Sequence, residues 1–244
     1  STKFDNSSYL NRSQFGIKLN KKGIYFNFDA ENTISSDYRI PDGTYVFNSR
    51  FKQHAVKLSL GYRAKKLNNI LRVILHNETT GIPGHVHGDP SLVSIYSVTS
   101  SGFDWKDDFK PTRPTQFINN RLIIYETSYM ARNIKFDLYA GHYINNLQEF
   151  EKWTQPAFNL DLSTTLISPN IRFHYKDFTF NLGTQLSSIV NKNVPSEYNS
   201  LIQTRLVPDA SSENLGTYFI IDFEKNNFGL NIGIRYDNKN LEVN

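Results

Sequence analysis

The stretch FGIKLNKKGIYFNFDA, residues 15–30, decides the fold. Phe15, Ile17 and Leu19 alternate with Gly16 and Lys18, and after Lys21-Lys22-Gly23 the apolar Ile24, Phe26, Phe28 and Ala30 alternate with Tyr25, Asn27 and Asp29. A period of two on both sides of a short glycine-containing turn predicts a β-hairpin with one apolar face. The same alternation returns at Val56, Leu58, Leu60 and Tyr62, at Ile134, Phe136, Leu138 and Ala140, at Phe178, Phe180 and Leu182, and at Leu230, Ile232, Ile234 and Tyr236. Two segments depart from it. Residues 118–130 show no clean phase. Residues 158–175 begin with Leu160, Leu162, Thr164 and Leu166 on one face and finish with Ile171, Phe173 and Tyr175 on the other. That slip predicts a β-bulge near Ser168-Pro169, which would take up one extra residue and a proline with no N–H to donate.

The connections between the runs alternate in length. Lys21-Lys22-Gly23, Lys65 to Asn69, Ala131-Arg132-Asn133, Lys176-Asp177 and Lys225-Asn226-Asn227 are short, while residues 34–49, 77–117, 145–157 and 188–213 form long polar connections. All the long ones fall on one side of the sheet. Short turns at one rim and long loops at the other predict an all-β, antiparallel up-and-down transmembrane β-barrel with about ten strands in this chain. Periodicity alone leaves the apolar face open to lipid or to a packed soluble core. Lys57, Lys135, Asp137 and Arg235 lie on the opposite face. They favour a water-holding lumen, because charges inside a tight sandwich are costly unless paired.

Composition agrees. The 244 residues are 39% hydrophobic, mean hydropathy is −0.48, and no segment offers the ~20 apolar residues of a membrane helix. Aromatics reach 14%, with 18 Phe and 14 Tyr against 2 Trp, which suits strands and interfacial girdles. With no cysteine there is neither a disulfide framework nor a thiolate metal site. Net charge is +4, from 27 basic and 23 acidic residues without a long basic run, so nucleic-acid binding is excluded as a reading. No Gly-x-Ser-x-Gly elbow, phosphate-binding glycine loop or His-Glu-x-x-His occurs, and the chain reads as a non-enzyme.

Several short motifs, in order along the chain, resemble the barrel of TonB-dependent outer-membrane receptors, especially those of the Bacteroidetes type. They are Tyr38-Arg39-Ile40-Pro41-Asp42-Gly43, Leu60-Gly61-Tyr62, Gly81-Ile82-Pro83-Gly84-His85, Asp161 to Tyr175, Leu182-Gly183-Thr184-Gln185, Val207-Pro208-Asp209-Ala210 and Gly233-Ile234-Arg235-Tyr236-Asp237. The resemblance implies a barrel of about 22 strands around a plug. Residues 1–244 then form one internal barrel portion, with plug and remaining strands outside it. It also implies a bacterial outer-membrane location and uptake of a scarce nutrient such as an iron-siderophore or other metal complex. Its partners would be outer-membrane lipid, a small-molecule or metal-chelate ligand, and the TonB energy-coupling complex acting through the plug. The alternative is a self-contained smaller barrel acting as a passive pore or adhesin.

Candidate sites fall in the long connections, where binding residues concentrate. His85, His87 and Asp89, in Gly81 to Pro90, offer imidazole and carboxylate ligands suited to a transition metal, carried as ion or chelate rather than as a resident cofactor. Tyr45, Trp105 and Trp153 offer aromatic faces for stacking. Arg39 and Arg113, with Arg50 and Arg205, offer forked hydrogen bonds to an anionic chelate, or pair with loop carboxylates.

Overall fold

The Lys21-Lys22-Gly23 turn closes its hairpin with two residues in the left-handed region, Lys22 at φ 51° and Gly23 at φ 85°, as a two-residue connection between twisted strands requires. A Cβ on Gly23 would also strike the carbonyl of Arg63, so glycine is needed there for space as well as for conformation. The computed structural model describes residues 2–5, 8–39, 41, 46–83, 109–111, 113–151, 154–195 and 207–243. These residues form eleven strands: β1 (Thr2–Asp5), β2 (Leu10–Lys21), β3 (Ile24–Ser35), β4 (Phe51–Arg63), β5 (Leu67–Gly81), β6 (Thr115–Ala131), β7 (Ile134–Phe150), β8 (Phe158–Tyr175), β9 (Phe178–Asn193), β10 (Ala210–Lys225) and β11 (Phe228–Val243). All pair antiparallel in sequence order in one sheet. The four-residue β1 brings the number to eleven, because its pairing with Leu10–Ser13 carries no alternation to announce it.

Each strand touches only its sequence neighbours, and among the described residues no hydrophobic side chain is fully buried. A second layer pressed onto the sheet would bury them, so the sandwich reading fails. The register shows where the apolar side chains go. Leu19, Phe26 and Leu60 form one cross-strand row, and Leu60 continues to Leu71 and Tyr125. Farther along, Phe136, Ile171, Leu182, Phe219 and Ile234 form another. All stand on one face, and many are strongly exposed, Phe15 at 59% and Ile234 at 72%.

On every long strand this apolar band starts at the short turn. On β9 it runs from Phe178 to Leu186, which at ~3.3 Å per residue and a tilt of ~40° is ~20 Å along the barrel axis. The hydrocarbon-facing band of an outer-membrane barrel is about 25 Å tall. Within the band the charged residues on this face are Lys21 and Lys225 beside the turns and Arg121 at its upper edge. Near the short turns Phe173, Phe178, Phe180, Phe219, Phe223 and Phe228 touch ring to ring, a girdle for the membrane interface. This face is the outer one.

The strands continue well above the band. β7 runs to Phe150, which reduces the long connection expected at 145–157 to residues 151–157. The bulge expected near Ser168-Pro169 is absent: Ile167 pairs with Leu186 and Asn170 with Gly183, the same step on both strands. The ladder to β9 only skips Ser168 and Pro169, as a residue without N–H demands. What changes is the face. Below, Ile167, Ile171, Phe173 and Tyr175 point outward; above, Leu160, Leu162 and Leu166 point inward. β6 does the same with Ile118, Leu122 and Ile124; Ile118 pairs with Leu147 and Leu147 with Leu160 high on the inner wall, and the Asn120–Asn145 pair separates this row from Leu122.

Placing a charge in the band should cost what hydrocarbon exacts. Leu182→Arg is expected to destabilise the full-length protein by ~2–4 kcal/mol in lipid vesicles, and Asn181→Arg on the inner face by much less. Equal losses in a denaturant titration would refute the assignment of faces.

Candidate functional site

The inner face is polar and cross-braced. Arg12 pairs with Glu31 at 2.6 Å, Arg72 with Glu126 at 2.8 Å, Lys135 with Asp137 at 2.9 Å and Arg235 with Asp237 at 2.7 Å. Tyrosines lie flat across the wall. The Tyr25 ring occupies the space a side chain at Gly61 would fill, and the Tyr218 ring does so at Gly183, with Tyr218 Oη accepting from Asn170 Nδ2 at 2.8 Å. Large rings therefore cover glycine on the next strand rather than projecting into the lumen.

High on this wall His76 anchors a network across β4 to β7. Tyr143 Oη and Asn145 Nδ2 donate to Asn120 Oδ1 at 2.5 and 2.7 Å, which turns Asn120 Nδ2 toward His76 Nδ1 at 3.0 Å. On the other side of the ring the Gln53 amide nitrogen lies 2.7 Å from His76 Nε2. Glu78 stands farther off, at 3.8 Å from Nε2. His76 is therefore engaged as a wall residue. No group of three or more metal-capable side chains occurs among the described residues.

The rim on the long-loop side is tied by an ion pair out of reach of water. Arg50 Nη2 donates to Asp37 Oδ2 at 2.5 Å, Arg50 Nε and the Arg50 backbone N–H both donate to Asp37 Oδ1 at 3.1 Å, and both side chains are fully buried. The guanidinium also lies 5.6 Å from the Phe47 ring centre and donates to the Lys110 carbonyl at 3.5 Å. Beside it Asn48 Nδ2 donates to the Pro114 carbonyl at 2.7 Å, Gly81 N–H to the Arg50 carbonyl and Ile82 N–H to the Pro114 carbonyl, each at 3.0 Å. Ser36 donates to the Ser8 carbonyl from its N–H and its hydroxyl. One knot thus joins the β3–β4 connection to both stems, Gly81 to Pro83 and Lys110 to Pro114, of the connection that carries His85, His87, Asp89 and Trp105 in the sequence.

Of the residues predicted to meet ligand, Arg39 and Arg113 are described, and both are exposed on this rim. Arg113 lies over the Phe150 ring at 5.4 Å, and Phe150 packs edge-on against Phe117 at 5.3 Å. No interaction joins Arg39 to Arg113 among the described residues. Arg50 is corrected: buried against Asp37, it holds the loops and cannot reach a ligand. Tyr45, Trp105, Trp153, Arg205, His85, His87 and Asp89 lie outside the described residues. Sequence reasoning missed Asp37, Asn48 and the His76 network. The available signal was two opposite charges bracketing one connection, common to many loops.

No family model and no curated protein sequence matches the chain. Solved structures do. The FrpB iron transporter from Neisseria meningitidis superposes over 98% of this chain and 41% of its own, with a TM-score of 0.71 and 13% identity. FpvA of P. aeruginosa, solved with a pyoverdine–iron complex, covers 97% of this chain and 36% of its own, with a TM-score of 0.67 and 11% identity. A copper transporter, OprC, gives 97%, 36%, 0.62 and 12% in the same measures. The sheet has the fold of a TonB-dependent receptor's barrel. The chain spans about two fifths of the length of these structures, of which FrpB is an iron transporter and OprC a copper transporter. On such a barrel wall the charged and amide face is the lumenal one, and the rim knot lies at the long-loop end.

Removing Asp37 leaves Arg50 buried without its counter-charge. Asp37→Ala should destabilise the rim by ~3–5 kcal/mol, and Asp37→Ala with Arg50→Met should recover most of it. Trypsin cleavage at residue 50 reads this directly: fast in the single variant, slow in the wild type and, for want of an arginine, in the double, whose recovery is therefore read from unfolding.

Proposed function

We propose that this chain is the barrel wall and ligand-capturing rim of a bacterial outer-membrane transporter that takes up a scarce nutrient, an iron chelate or another metal complex, with energy from a TonB coupling complex. The observation that carries the reading is the apolar band on one face, set against a braced polar wall on the other, in a sheet superposable over nearly its whole length on iron and copper transporters. A passive pore needs no elaborated mouth. Here a fully buried ion pair fixes the stems of the longest connection. Arg39 and Arg113 would contribute cationic contacts to an anionic chelate, and Tyr45, Trp105 and Trp153 stacking surfaces. His85, His87 and Asp89 would contact the metal where the chelate leaves coordination positions open.

Deleting the gene should abolish energy-dependent uptake of one labelled nutrient among ferric siderophore, zinc and cobalamin, with the protein recovered in the outer-membrane fraction of the parent strain. His85→Ala with His87→Ala should weaken uptake of the same nutrient. Unchanged uptake of all three in the deletion strain would refute the transport reading.

A further inference from the structure

The outer face changes character abruptly just above the apolar band. His54, Asn77, Asn119 and Asn146 are consecutive cross-strand neighbours in one row of β4 to β7, all pointing outward. Directly beneath Asn119 on the same face is Arg121, exposed, with Leu75 and Ile144 as its cross-strand neighbours. The side chains of His54, Asn77, Asn119 and Arg121 make no hydrogen bond or ion pair among the described residues, in contrast to the braced arginines of the inner wall. Asn146 donates to Asp161 and Asn159, so the nearest outward carboxylate, on β8, is already engaged.

An arginine on a lipid-facing surface costs ~2–4 kcal/mol at the bilayer midplane and ~0–1 near the interface. Arg121 stands above Ile123, Tyr125 and Tyr129 on its own strand, in the last apolar row and one step below the row in which β4, β5 and β7 turn polar, so its long side chain reaches the outer-leaflet headgroups. A guanidinium there has a planar fork of donors, amides on two sides and no carboxylate to satisfy it. The complementary group is a phosphate. We infer that Arg121, with the amides of Asn77 and Asn119, holds the phosphate of an outer-leaflet lipid against the barrel wall. This rests on the reading of the chain as a membrane barrel. The lipid would tie β5, β6 and β7 together at the point where they leave the hydrocarbon.

The test is native mass spectrometry of the full-length protein, delipidated in detergent and titrated with phosphatidic acid. Wild type should retain the lipid, and Arg121→Gln should weaken retention about tenfold. Arg121→Lys should weaken it less, and Lys18→Gln on the inner wall not at all. A heat-dependent shift in electrophoretic mobility confirms that each variant is folded; should Arg121→Gln not fold, Asn77→Leu with Asn119→Leu provides the same reading. Equal retention by wild type and variant overturns the inference. Displacement by inorganic phosphate at the concentration at which the lipid binds also overturns it, since the site would then take free phosphate. A protein that stays in solution without detergent overturns the barrel reading itself, and that outcome is visible before any lipid is added.

Discussion

Hydrocarbon offers a peptide group no hydrogen-bond partner, and that constraint governs everything else in this molecule. Each strand must satisfy its backbone by lateral pairing alone, so the strands are long, antiparallel and in unbroken register from β2 to β11. No second layer is needed, because lipid covers the side chains that a soluble sheet would have to bury against itself. The lack of buried hydrophobic side chains among the described residues, a defect in a soluble domain, is here the expected outcome.

The same constraint ends at a definite height. Above the band the outer face meets headgroups and water, and the selection for apolar residues there lapses: Thr165, Ser163 and Asp161 follow Ile167 along β8. Rigidity in this upper part has to come from elsewhere. There the Arg12–Glu31 pair and the His76 network brace the wall, and the Asp37–Arg50 pair closes the connections above it.

This two-level design explains what was legible in the sequence. The β2–β3 hairpin could be read directly, because Phe15 to Ala30 lies wholly within the band and alternates without interruption. β8 was misread as bulged because its apolar residues change sides at the band's upper edge, and β6 had no phase because Ile123 and Tyr125 face lipid while Leu122 and Ile124 face inward. The strand tops were taken for loops for the same reason, since Asn145 to Phe150 is polar on both faces for most of its length. Arg39 and Arg113 lie exposed on the long-loop rim. The role of Arg50 was not readable, because its partner is identified only by the way the connection folds back on itself.

The aliphatic row formed by Ile118, Leu147 and Leu160 has a consequence for the water beside it. Water beside these side chains has few polar atoms to hold it and gives way cheaply to a solute with a greasy surface. The amides immediately below, pinned to one another through Asn120, have little left to trap that solute. Such a wall offers an apolar solute contact without a free polar group to anchor it.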